Sequence, residues 1–133
     1  MKSLFFLSFF ILFTISILFS TASAQTSSDV KDSLRREKKA LKQARKIRNK
    51  LLRGADFHQL AEKYSDDPGS AQHGGELGSV HFGQFVPEFE ETIRSIEPGK
   101  VSEPVRTDFG YHLIELMALE GDQFTSRHIL IKP

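Results

Sequence analysis

GADFHQLAEKYSDDPGSAQHGGELGSVHFGQFVPEFEETIRSIEPGKVSEPVRTDFGYHLIEL, from Gly54 to Leu116, is the stretch whose reading decides the fold. Asp56 opens a helix with Phe57, Leu60, Ala61 and Tyr64 on its apolar side, and that helix closes in Tyr-Ser-Asp-Asp (64–67). Ser65 to Gly78 is dominated by Ser, Asp, Pro and Gly and reads as a loop, with Gly-Gly-Glu-Leu-Gly (74–78) at its end. Leu77 to Phe82 reads as a short strand. Pro87 sits at the first turn of a helix over about 87–95, where its missing N–H costs nothing, and Phe85, Phe89, Ile93 and Ile96 turn inward. Glu97-Pro98-Gly99-Lys100 is a turn, followed by a brief strand from Val101 to Val105 and a longer one from Tyr111 to Leu119.

Beyond Leu119, Glu120-Gly121-Asp122 reads as a turn and Ser126 to Lys132 as a last alternating strand. On the other side, Val30, Leu34, Leu41, Ala44, Ile47, Leu51 and Leu52 recur at helical spacing, so a long helix is expected from Asp29 to just before Gly54. This gives an α+β domain: a small antiparallel sheet flanked by helices, with a long basic helix at its N-terminal side. The helix segment 29–53 carries eleven Lys or Arg against three acids, whereas 54–133 carries six against fourteen. Such a helix suits nucleic acid or anionic lipid. A solvated face balanced by the acidic remainder is the plainer reading.

Residues 1–24 read as an export signal: Lys2, an apolar run from Leu4 to Phe19, then Ala22-Ser23-Ala24, with cleavage expected before Gln25. The apolar core is short for a membrane span of roughly 20 residues. The chain has no cysteine, which excludes disulfides, thiolate metal sites and a lipid-modified cleavage point. About 109 residues remain, enough for one small domain without covalent staples. Export argues against a nucleic-acid partner, and cleavage against stable membrane insertion. Residues 25–28 form a polar lead-in.

The order Tyr-Ser-Asp-Asp, Gly-Gly-Glu-Leu-Gly, Phe-Val-Pro-Glu-Phe, Phe-Gly-Tyr-His resembles the parvulin family of peptidyl-prolyl cis/trans isomerases, in particular its extracytoplasmic foldases of the SurA and PrsA type. The resemblance covers about half of the chain. It implies isomerisation of X–Pro bonds in unfolded, proline-containing exported or outer-membrane polypeptides, in the periplasm. It also implies residues. Leu77, Phe85 and Phe89 match the apolar proline pocket, His112 the strand histidine at the floor of the site, and Thr107 a hydroxyl bonded to it. Asp67 matches a position held by cysteine or aspartate, where a carboxylate would tune the local field. Phe109 stands where phosphate-reading relatives carry a small polar residue, so phosphoserine–proline recognition is not expected.

That chemistry needs no nucleophile, metal or cofactor. Resonance sets the barrier at about 18–20 kcal/mol, and exchange takes on the order of tens of seconds unaided. An apolar socket for the ring and polar groups around the amide are what lower it. Each residue also has a plain reading: Phe85 and Phe89 as core, His112 as a buried histidine satisfied by Thr107. His58, His73 and His81 are expected at the surface. His73, Glu76 and His81 have the types but not a persuasive spacing for a metal, and none is expected. The glycines of 74–78 permit tight turns and are not a phosphate loop.

The resemblance also exposes a gap. The family's opening strand, of the form Arg-His-Ile-Leu, does not precede the basic helix, while Arg127-His128-Ile129-Leu130 stands at the far end. Residues 29–122 are thus expected to form a parvulin-like domain lacking its first strand. Residues 123–133 then either fill that slot, bringing His128 to His112, or begin a second such domain. A peptide-holding module without useful catalysis is the rival function.

Overall fold

The architecture follows from two long strands whose side chains alternate between two buried layers. The computed structural model describes the backbone of residues 3–133 and the side chains of residues 27–133. Its elements are α1 (Ser3–Leu52), α2 (Phe57–Tyr64), a single 3-10 turn (Ala71–His73), β1 (Glu76–His81), α3 (Pro87–Ser95), β2 (Val105–Thr107), β3 (Gly110–Glu120) and β4 (Gln123–Ile131). The α+β class, the antiparallel sheet and the presence of a long basic helix are as expected, but α1 does not start at Asp29: it continues through residues 25–28, which were expected to be a separate polar lead-in. The export signal expected over residues 1–24 lies outside the described residues, since Met1 and Lys2 are not described and the others have no described side chains. Among the described residues, no helix is long and apolar enough to cross a membrane.

The chain divides into a unit of residues Met1–Arg35 and one of Arg36–Pro133. In the first, Val30 and Leu34 are more than half exposed, so the apolar stripe expected along α1 is not buried there. In the second, Ala40, Ala44 and Ile47 are buried and Leu51 packs beside them. Leu52 is exposed as well, because one further residue turns it about 100° off that seam.

The sheet order is β1-β4-β3-β2, antiparallel throughout. Leu113, Ile129 and Ile131 face α1 and α2, meeting Ala44, Ile47, Phe57, Leu60 and Ala61. Ile114, Leu116 and Phe124 face the other way, onto Phe89 and Ile93 of α3. Because both faces are covered, 112–114 and 128–131 are buried without interruption, and strict polar alternation is lost. Arg106 with Glu37, and Arg48 with Glu103 and the Ser102 carbonyl, fasten α1 to the β2 side of the sheet.

Local chemistry sets the boundaries. The Asp56 carboxylate accepts the Gln59 N–H at 2.8 Å, capping α2. Pro87 begins α3. The strand expected over 101–105 is displaced: Val101 makes an isolated bridge to Glu115, and the ladder resumes only at Val105. The Ser102 hydroxyl takes the Ile114 N–H at 3.0 Å, and Pro104 has no N–H to give, so a regular ladder cannot form between them.

Past Arg127, β4 no longer has β1 beside it. The Tyr-Ser-Asp-Asp loop takes over that edge. Leu130 N–H donates to Ser65 Oγ (3.1 Å), Asp66 N–H to the Leu130 carbonyl (2.7 Å) and Lys132 N–H to Asp66 Oδ2 (2.8 Å). The changeover falls at Gly75, whose carbonyl accepts the His128 N–H at 2.8 Å. Gly75 has φ of 80°, and a Cβ there would lie 2.1 Å from the His128 carbonyl oxygen. Gly78 has a similar φ of 75° but open space around it. Gly75→Ala is expected to cost about 3 kcal/mol or more in urea unfolding, and Gly78→Ala only about 1 kcal/mol.

Candidate active site

β3 and β4 each present one histidine to the α3 face. His112 pairs in register with Leu130, and His128 with Ile114, so the imidazoles are diagonal neighbours with centroids 5.2 Å apart. Both are nearly fully buried. Their Nδ1 atoms face each other at 3.0 Å. Beyond His112, Nε2 meets Thr107 Oγ1 at 2.8 Å; beyond His128, Nε2 meets Asp67 Oδ2 at 2.9 Å and Ser70 Oγ at 3.1 Å. Asp67, Thr107, His112 and His128 thus form one continuous hydrogen-bonded row.

The direction of that row can be worked out from its acidic end. Burial pushes the Asp67 carboxyl up, but hydrogen bonds from Ser70, His128 and the Gly69 N–H outweigh it and hold the pKa at about 2. An ionised carboxylate only accepts. His128 Nε2 therefore carries a proton, and Nδ1 of the neutral ring is an acceptor. His112 must then donate from Nδ1, leaving its Nε2 to accept the Thr107 hydroxyl. Thr107 Oγ1 in turn accepts the Phe109 N–H at 3.2 Å. Every polar atom is satisfied with both rings neutral. A second proton would put two N–H groups nose to nose.

Burial lowers the His112 pKa to about 4, and a proton on His128 would repel one on His112, with Asp67 working the other way. His128 is also lowered, by burial, against the hydrogen bond and charge of Asp67.

Beside the row lies a cavity of about 350 Å³, bounded by Leu77, Phe85, Phe89, Phe109, Leu130 and both histidines, with Asp67 at its edge. Phe85 stacks on Phe89 at 4.9 Å, and Phe89 stands edge-on to His112 and His128 at 5.9 and 6.0 Å. Phe89 is buried and belongs to the core as well as to the cavity wall; Phe85 is only partly buried. Leu77 reaches the cavity from β1. Phe109 is 59% exposed at the rim. The seven residues singled out from the sequence all meet around this cavity and its polar row. His58, His73 and His81 lie apart on the surface, His58 beside Glu62 and His81 beside Asp122.

Two contributors escaped sequence reasoning. Ser70 donates to Asp67 Oδ2 at 2.5 Å, and Asp67 Oδ1 accepts the Gly69 N–H at 3.1 Å. Asp67-Pro68-Gly69-Ser70 is an Asx-type turn, legible as such from its residue types. Glu90 is buried, and its Oε1 accepts the N–H groups of Gly83 (2.7 Å) and Phe85 (3.0 Å), shaping the loop that presents Phe85. The Phe85 N–H, then the Gly83 and Gln84 amides and Arg94, hold its carboxyl below the usual range despite burial. A glutamate in the first turn after Val-Pro was the available signal.

A family model described as Rotamase, PPIC-type PPIASE domain, matches residues 17–118, a stretch that stops before β4. Chaperone SurA of Nitrosococcus oceani is 42% identical over 94 residues, which are 71% of this chain and 22% of that protein. Foldase protein PrsA of Geobacillus kaustophilus is 49% identical over 75 residues, 56% of this chain and 27% of that one. The crystal structure of peptidylprolyl isomerase PrsA from Bacillus cereus matches with a TM-score of 0.58 at 46% identity, covering 60% of this chain and 31% of the other. This chain therefore spans only about a quarter of the length of such relatives.

The depressed histidine pKa makes stability depend on pH. Between about 4, where folded His112 protonates, and its ordinary 6.5, the unfolded chain binds more protons than the folded one. Stability is therefore complete above about 6.5 and is lost as pH falls toward 4. The expected loss is on the order of 2–3 kcal/mol, read by urea unfolding across that range. Asp67, with its pKa held at about 2, stays ionised throughout that window.

Proposed function

The chain belongs to the PPIC-type, or parvulin, family of peptidyl-prolyl isomerases, and we propose that it catalyses cis/trans exchange at X–Pro bonds of unfolded exported polypeptides. The observation that carries the reading is the single-file row Thr107–His112–His128–Asp67 against an aromatic socket. Leu77, Phe85 and Phe89 take the pyrrolidine ring, each buried methylene contributing about 0.8 kcal/mol to holding it. The prolyl ring is then fixed while the residue before it turns.

Asp67 supplies the field. A planar amide places partial negative charge on its carbonyl oxygen through resonance. A carboxylate beside that oxygen disfavours the planar form relative to the twisted one, in which resonance is lost. The barrier falls without any covalent step. The neutral histidines keep Asp67 in position without cancelling its charge, and Thr107 fixes the tautomer at the other end. No nucleophile, metal or cofactor has a part in this.

In the same reading, β4 stands in for the family's opening strand. Support comes from its place between β1 and β3 and from the 3.0 Å approach of His128 to His112. A second parvulin domain beginning at the same strand is compatible with that arrangement. The folding-factor role and the periplasmic location rest on the likeness to SurA and PrsA and on residues 1–24. Protein recovered from the periplasm should begin at Gln25, by N-terminal sequencing.

NMR exchange on an X–Pro peptide panel tests the catalysis. Asp67→Asn keeps an acceptor but removes the charge, and is expected to lower kcat about 10–100-fold with KM little changed. Phe85→Ala is expected chiefly to raise KM. A folded chain that accelerates no exchange yet still holds unfolded polypeptide would leave the peptide-holding module as the function.

A further inference from the structure

The basic face of α1 takes no part in the chemistry above. Lys39, Lys42, Lys46 and Lys50 line a groove of about 350 Å³, with Gln43 and Ile47 of the same helix and Tyr64 at the end of α2. Ile47 and Tyr64 belong to the layer around Leu113 and Ile129, on the sheet face opposite the histidine pair. The groove is therefore separate from the aromatic socket, and a proposal about it stands or falls independently of the isomerase reading.

The described ion pairs of this helix are Arg35 with Asp32, Arg48 with Glu103 and Glu37 with Arg106. Lys39, Lys42 and Lys46 are exposed and have no carboxylate partner among the described residues. Tyr64 forms one wall, its hydroxyl 3.4 Å from Lys50 Nζ, with Lys50 and Lys63 at 5.3 and 5.4 Å from its ring centre. The hydrogen bond from Lys50 lowers the phenol pKa against the effect of burial. The local field is thus strongly positive and lacks its counter-charge.

Spacing narrows the counter-charge. Lys42, Lys46 and Lys50 follow one another at i, i+4, i+8, a rise of about 6 Å each along the helix. Alternate side chains of an extended polypeptide are about 6.7 Å apart. Flexible lysine stems absorb that difference. Ile47 lines the groove between the lysines. A flat bilayer does not fill a concave groove, and a single aromatic wall offers no succession of stacking surfaces for nucleic-acid bases. We propose that this groove binds an extended acidic polypeptide segment carrying Asp or Glu at alternate positions.

The test uses the full chain and fluorescence anisotropy of a labelled twelve-residue peptide with Glu at every second position and Ser between. A peptide of equal composition with its Glu residues in one block is the comparison. The alternating peptide is expected to bind several-fold more tightly than the blocked one, and less tightly as salt rises. The triple variant Lys39→Gln, Lys42→Gln, Lys46→Gln is expected to weaken it about tenfold, with Tm unchanged because these side chains are exposed. NMR shifts at Tyr64 should saturate with the same affinity. Equal binding by the triple variant, or equal affinity for the alternating and blocked peptides, overturns the proposal. So does tighter binding of phosphatidylglycerol vesicles or of oligothymidine.

Discussion

Everything that positions chemistry in this molecule depends on β4 being paired along both edges. On one side β3 runs beside it from Glu120↔Gln123 to Tyr111↔Ile131. On the other, β1 serves as far as Arg127, and the Tyr-Ser-Asp-Asp loop continues from there. An unpaired backbone group in this buried position would cost about 1–3 kcal/mol. The loop is consequently held where the strand requires it, and Asp67 arrives beside His128 as a result. One set of main-chain bonds thereby specifies both the sheet and the distance between a carboxylate and an imidazole.

The buried polar row is stable for a related reason. It contains one formal charge, on Asp67, and that charge sits at the partly exposed end, where the side chain is 26% accessible. The two imidazoles deeper in carry none. Burial alone would resist a charged histidine there, and the facing nitrogens resist two protons together. Packing supports the arrangement, because Phe89 stands edge-on to both rings.

Much of this was legible in the residues. The start of α3 at Pro87, the cap at Asp56 and the turn at Glu97–Lys100 follow from local chemistry, and the last closes through the Lys100 N–H to the Glu97 carbonyl. The candidate site residues were found through a family pattern, not through periodicity, which cannot say that residues 67, 107, 112 and 128 meet. The failures have definite causes. Val101–Val105 has the composition of a strand, but Ser102 replaces a main-chain partner with its hydroxyl. Val30 and Leu34 keep helical spacing without becoming core, since periodicity marks a face and not what covers it. The turn at Asp67–Ser70 and the glutamate after Val-Pro were visible as residue types, but not that the Ser70 hydroxyl would meet Asp67 and His128, or that Glu90 would hold the Gly83 and Phe85 amides.

The pairing of β4 also has a consequence in time. Asp67 and His128 are separated by 61 positions, and β1 meets a strand that begins more than forty residues later. While the chain is being made, helices can form as soon as they emerge, but the sheet has no interior until Gln123 and its successors are available. Contacts this distant in sequence are slow to close. Both core layers, the one around Leu113 and the one around Phe89, therefore close only once residues 123–131 have emerged.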